Sequence, residues 1–214
     1  MRLGELSERS GVSIATIKYY LRERLLPPGR RVTSTQAEYD ESHLRRLRLV
    51  RAMIQVGRVP VATAREVLGH VDDESLGLTM RLGAATWALP QPADEAGDDA
   101  AAAAARGTLD ALLTELGWDT AREIGDLSPV HRALVTAIAT LNRLGFPLSL
   151  DELVPYARHM EEVAAHDLDL LETRPPGSEQ VEAAVASAVL YDPLLLGLRR
   201  LAQEEESARR YGIS

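Results

Sequence analysis

No cysteine occurs anywhere in the 214 residues, so disulfides, zinc-thiolate centres, thiol redox switches and cysteine nucleophiles are excluded by inventory. Aromatics are scarce, at 4% with a single phenylalanine, and Lys18 is the only lysine. The opening residues, MRLGELSERS, alternate charge with apolar groups and hold no apolar h-region, and no uncharged stretch approaches membrane-spanning length. A cytoplasmic protein with no membrane partner is therefore expected. Gly-rich phosphate loops, paired metal-binding histidine motifs and activated-serine patterns are missing too, and the five histidines are scattered. Neither an enzyme nor a cofactor is expected.

Arginine is plentiful and unevenly spread. The net charge of -8 divides into +6 over residues 1–70 and -14 over residues 71–214. A basic head on an acidic body points to a polyanion met by the head alone, since the body repels a phosphate backbone.

The apolar content of 45% suits a soluble globular protein, and its pattern is helical almost throughout. A helix over 3–10 ends at Gly11, and Ser13 caps a second over 14–25. Pro27, Pro28 and Gly29 forbid continuation, and RRVTSTQAEY at 30–39 has the β-branched character of a small two-stranded ribbon. Asp40 caps a helix over 41–56 that Gly57 closes, and a short one covers 61–70. One more is expected over 71–88. The acidic stretch LPQPADEAGDD at 89–99 is the best linker. Six consecutive alanines follow, and because alanine is the strongest helix former the run predicts a helix to about 116, capped by Asp98 or Asp99. Ser128 with Pro129 opens a helix that stops near Gly145. Ser149 with Glu152 makes a capping box for one to about 173, kinked or split near Pro155. Ser178 opens another, and Asp192 with Pro193 caps a last one to about 210. The fold class is mainly α: an N-terminal helix-turn-helix with a small β-wing over 1–70, a connecting helix and linker over 71–98, and an all-helical domain over 99–214.

Projected at 100° per residue, Ile14, Ile17, Leu21 and Leu25 form a core stripe on the second helix, leaving Ala15, Thr16 and Tyr19 outward with Tyr20 and Arg22 at the margins. Two short helices about a tight turn, the second with a small polar face rimmed by basic groups, fit a helix-turn-helix whose second helix lies in the major groove. Ala15, Thr16 and Tyr19 are candidates for base readout. Lys18, Tyr20, Arg22 and Arg2 are candidates for phosphate. Ser13 joins this set, as do Arg30, Arg31 and Tyr39 of the ribbon and, on the next helix, Arg45 from the cluster Arg45, Arg46 and Arg48.

The run RLGELSERSGVSIATIKYYLRERLLPP, with Tyr39 and Asp40, HLRRLRLVRAMIQVG at 43–57 and AREVL at 64–68, resembles the MerR family of winged-helix transcriptional regulators. The likeness covers about the first 70 residues. It implies that Lys18 occupies the family's usual arginine position before the tyrosines, and that Tyr19, Tyr20, Arg30, Arg31 and Tyr39 match DNA-backbone positions. It further implies a homodimer on promoter DNA that distorts the duplex for RNA polymerase under an effector's control. Without cysteine, this chain does not resemble the family's thiolate-using sensors, which leaves a small organic ligand, a protein partner or no effector. Two departures stand out: the wing reads TSTQAEY rather than Gly-Tyr-Arg-x-Tyr, and the stretch 71–88, where the family carries a long dimerising helix, is short and holds Gly77 and Gly83. The C-terminal helices are then the place for a dimer contact. The rival reading is an architectural DNA bender that resembles phage excisionases and senses nothing.

In the body, Trp87, Trp118, Phe146, Tyr156 and Tyr191 are the candidates for a ligand pocket. His159, Glu162, His166 and Asp169 share one helical face, read as a solvated flank rather than a metal site.

Overall fold

A computed structural model of the chain describes residues 1–33, 36–90 and 97–212. These form two compact units, one of residues 1–89 with 174–214 and one of residues 90–173. The first unit begins with α1 (Leu3–Ser10) and α2 (Ile14–Arg22), then the two-residue strands β1 (Arg30–Arg31) and β2 (Ala37–Glu38). The strands pair antiparallel, Arg30 opposite Glu38 and Arg31 opposite Ala37. Residues 34–35 at the expected wing tip lie outside the described residues. α3 (Glu41–Arg51) runs on as a π-helical turn over Ala52–Val56, and α4 (Val61–Asp72) and α5 (Leu78–Trp87) follow.

Most expected caps are in place. Asp40 accepts from the Ser42 and His43 N–H groups to start α3, and the Ser42 hydroxyl and then the His43 ring hold its carboxyl well below the usual carboxylate range. The second helix stops at Arg22 rather than 25, because Arg24 takes a left-handed conformation, φ 59°. The expected helix over 71–88 is shorter still. Asp73 accepts from the Ser75 N–H and hydroxyl, which closes a turn after α4, and α5 starts only past Gly77.

The last helix overturns an expectation. A proline at 193 was expected to separate two helices, yet α10 (Ser178–Tyr211) is continuous with Pro193 inside it. A proline removes one N–H and crowds the preceding turn, and here the leucine-rich flanks outweigh that cost. The units also divide the chain differently from the segments 71–98 and 99–214, since α10 packs with the first unit. Its Val181, Val185 and Val189 join Leu6, Ile17, Leu47, Met53 and Val67 in one core. Gly57 permits this closeness, because a Cβ there would stand 2.5 Å from the Val189 Cγ1. Arg46, buried, spans three helices: it pairs with Asp72 of α4 and, at 2.9 Å, with Glu182 of α10. Burial opposes its charge, but the two carboxylates override that and push its pKa up. A second buried arginine, Arg81 of α5, donates to the Val71 carbonyl and to the Ser178 hydroxyl.

The second unit holds α6 (Ala100–Leu116), α7 (Asp119–Ile124) with a 3-10 turn over Gly125–Leu127, α8 (Pro129–Arg143) and α9 (Leu150–Glu172). Residues 91–96 of the expected linker lie outside the described residues. The alanine run is helical, and Ala102 and Ala105 are fully buried beside Leu109, Val135 and Ala139, so small side chains bring α6 and α8 close. Asp99 caps α6 through the Ala102 N–H and clasps Arg143 of α8. Pro155 sits in the first turns of α9, which neither splits nor ends there.

Candidate nucleic-acid interface

The turn between α1 and α2 is pinned from three sides. Gly11 adopts φ 65°, the Ser7 hydroxyl donates to the Val12 carbonyl at 2.6 Å, and Arg51 of α3 donates to the Ser10 carbonyl at 3.0 Å. Ser13 then caps α2 by accepting from the Thr16 N–H, and the two hydroxyls lie 2.8 Å apart. Salt bridges brace the helices from outside: Arg9 forks onto Glu41, tying α1 to α3, and Arg65 pairs with Glu23, tying α4 to the end of α2. A recognition helix held in this way presents side chains in one fixed pose.

The face it presents holds Ala15, Lys18, Tyr19 and Arg22, all exposed, with Thr16 half-buried beside them. Lys18, Arg22 and Arg31 enter no ion pair among the described residues. The helix is rotated from the expected projection. Ile14, counted as core, is exposed, whereas Tyr20, counted as a phosphate contact, is 4% exposed and inside. Burial pushes the Tyr20 phenol up from its ordinary value.

In the wing, Arg30 is exposed and pairs with Glu38 across the strands, and Arg31 is exposed beside it. Tyr39 differs from its expected place on the backbone-gripping surface. It is buried, edge-on to His43 with ring centres 5.2 Å apart, and it closes over Gly29, where a Cβ would come within 2.9 Å of its ring. The chain start runs beside the second strand: the Met1 amine donates to the Tyr39 carbonyl at 2.7 Å and the Tyr39 N–H donates to the Met1 carbonyl at 2.8 Å. Arg2 consequently reaches the wing and donates to Gln36 at 2.7 Å. Between them opens a groove of about 490 Å³, lined by Arg2, Leu3, Gly4, Gln36, Ala37 and Tyr39. The uncapped first turn of α1 meets it, and free N–H groups at a helix start favour a phosphate. Gln36 was not among the expected residues; its approach to Arg2 joins positions 34 apart and leaves no local signal.

Arg45 also differs from expectation. It turns toward α10, 3.4 Å from Glu179 and 3.9 Å from Glu182, so its charge is committed within the unit. The five aromatic pocket candidates divide between the units: Trp87 and Tyr191 belong to the first, and Trp118, Phe146 and Tyr156 to the second. Trp118 donates to Glu161 at 3.3 Å, and Phe146 and Tyr156 are well exposed. His159 and Glu162 stand 3.8 Å apart on the surface of α9.

A rigidly seated helix with an unpaired cationic face, flanked by a basic two-stranded ribbon, defines a winged helix-turn-helix DNA-binding unit. Residues 1–70 match the profile of the MerR HTH family of regulatory proteins. The HTH-type transcriptional regulator ZntR homolog of Haemophilus influenzae is 36% identical over 50 residues, a match that spans 23% of this chain and only 37% of that relative's length. The crystal structure of a candidate transcriptional regulator, SCO5550 from Streptomyces coelicolor A3(2), is similar over 100% of this chain and 99% of its own, at 64% identity and a TM-score of 0.85. The chain belongs to the MerR family of DNA-binding transcriptional regulators.

Proposed function

We propose that the protein acts as a homodimer on a two-fold promoter site, laying α2 of each copy in a major groove and the wing and the α1 start on the flanking backbone. The observation that carries this is the outward face of α2, where Lys18, Tyr19 and Arg22 stand free on a helix that its turn and cap fix in place. A single unit of this size grips too little duplex for tight specific binding, which favours two copies. Bending or untwisting a short site costs on the order of a few kcal/mol, within reach of contacts that differ between two protein states, so distortion of the promoter for RNA polymerase is the natural output.

The second unit, with a core of its own around Leu109, Val135 and Ile138, supports an effector-responsive regulator over a purely architectural bender. A small organic effector, a non-catalytic role and a cytoplasmic setting complete the reading. α10 is long and apolar enough to cross a membrane by composition alone, but its valines are committed to the first unit's core, which favours the soluble setting.

Binding to a selected duplex and to scrambled duplexes tests the DNA reading. Thr16→Ala is expected to narrow the gap between them. Lys18→Ala is expected to weaken all duplexes alike and to lower the slope of log K against log salt by about 0.9, the loss of one phosphate contact. Unchanged binding by both variants would remove α2 from the groove. Melting the full chain against a metabolite panel tests the effector, with a rise in Tm expected for a true ligand.

A further inference from the structure

The two halves of α10 meet different surroundings. Along its first half, Val181, Val185 and Val189 face the first unit's core, while Ala183, Ala186 and Leu190 join Leu49 and Ala52 in a groove of about 230 Å³ rimmed by Arg45, Arg48 and Arg174 and by Glu179 and Glu182, which pair with Arg45 and Arg46. Past Leu190 the apolar stripe continues, uncovered among the described residues. Leu194, Leu198 and Leu201 are 52%, 54% and 61% exposed, and with Leu190 they span about 80° of the helix surface at 3.6 residues per turn. Gly197 lies in the same stripe, with open space where a side chain would stand. Glycine inside a helix weakens it, so its presence at an exposed apolar face speaks for another backbone coming close. α5 also shows apolar side chains, with Met80 64% and Trp87 41% exposed, but it is only ten residues long, rests against α4 and α10 and carries no charge blocks that would select a partner.

We propose that this stripe is the seam of the homodimer, α10 lying antiparallel on the α10 of a second copy, with Leu190 against the partner's Leu201 and Leu194 against the partner's Leu198. The seam rests on the two-copy reading above and specifies where the copies join. Charge selects the occupant and its direction. Arg199 and Arg200 stand within the span of the stripe, and Glu204, Glu205 and Glu206, then Arg209 and Arg210, follow it. In a parallel pair Glu204 and Glu205, which flank the stripe, meet their own like, two glutamates against two, which is repulsive, while Glu206 faces away and pairs with Arg209 and Arg210. In the antiparallel register the partner's Glu204 and Glu205 arrive beside Ala186, over the rim where Arg48 is exposed and enters no ion pair among the described residues. Groove, stripe and acidic block thus form one self-complementary surface, as a two-fold contact requires. The paired length, from about residue 182 to 209, is about 42 Å at 1.5 Å per residue.

The absence of native cysteine makes the register directly testable in the full chain. The double variant Leu190→Cys with Leu201→Cys, mildly oxidised, is expected to give a covalent dimer that reductant reverses, while Leu190→Cys and Leu201→Cys alone give none. Crosslinking of either single variant would mean a parallel or shifted pairing and overturn the proposal. A second measurement uses Leu194→Glu with Leu201→Glu, at positions already exposed, so that helix content stays at the parent level. Dimer dissociation in sedimentation velocity is expected to rise by about a hundredfold or more, as an unpaired charge enters an apolar seam. A parent that is dimeric but insensitive to these changes would move the seam elsewhere and leave the two-copy reading standing. A monomeric parent would end both, and a monomeric parent that floats with phosphatidylcholine vesicles would assign the stripe to lipid instead. DNA binding measured on the same samples separates all of these from failure of the α2 reading.

Discussion

Gly57 shows how much a single missing side chain decides. Its φ of -72° suits any residue, so the reason for glycine is space: Val189 of α10 occupies the place of a Cβ. Gly57→Ala is expected to destabilise the first unit by about 1–3 kcal/mol through overpacking, read as a lower urea midpoint with unchanged m-value. Arg46 is the polar counterpart. Removing it leaves Glu182, itself largely buried, with only the more distant Arg45 at 3.9 Å, and Arg46→Ala is expected to cost about 3 kcal/mol in the same experiment. Neither role was legible in the sequence. Gly57 read as a helix stop and Arg46 as one of three surface cations, because both depend on a helix more than a hundred residues away.

At the scale of elements, caps and breakers were read well and faces less so. Ser13, Asp40, Asp99, Ser128 and Ser149 all cap the helices expected of them, since a cap is a contact over two or three residues. The face of α2 was misjudged by part of a turn. Ile14 sits at the first helical position beside the cap, beyond the reach of the core, and Tyr20 takes an inward place in the core with its ring tilted against Tyr19. Lys18, Tyr19 and Arg22 nevertheless stayed outward, which preserved most of the candidate site. Pro193 marks the limit of breaker rules. The Val189 carbonyl has no N–H from residue 193, so Pro193→Ala is expected to stabilise α10 by up to about 3 kcal/mol, seen as a higher Tm.

Acid acts on the whole molecule through carboxyls that folding holds below their ordinary value, Asp40 in the first unit and Asp99 in the second. In the second, Arg143 and then the Ala102 N–H hold the Asp99 carboxyl down to about 2. Its unfolded value is about 3.9, so the folded state binds the proton less readily. The stabilisation is complete above about pH 4 and is lost as pH falls toward 2. In a Trp87→Phe background, Trp118 fluorescence is expected to report falling stability across that window, and Asp99→Asn is expected to flatten the dependence. The charge split between head and body was plain from residue counts, but the membership of α10 was not, because its valines look the same whichever core they enter.

That membership has a bearing on synthesis. Residues 90–173 interrupt the first unit in the chain, and α3, α4 and α5 are left uncovered until Val181, Val185 and Val189 have been translated. A nascent or prematurely stopped polypeptide ending before residue 178 therefore carries the whole exposed face of α2 yet displays a bare apolar flank, a natural substrate for chaperones and proteases. The order in which the ribosome delivers the parts thus completes the cationic face of α2 before the core that supports it is closed.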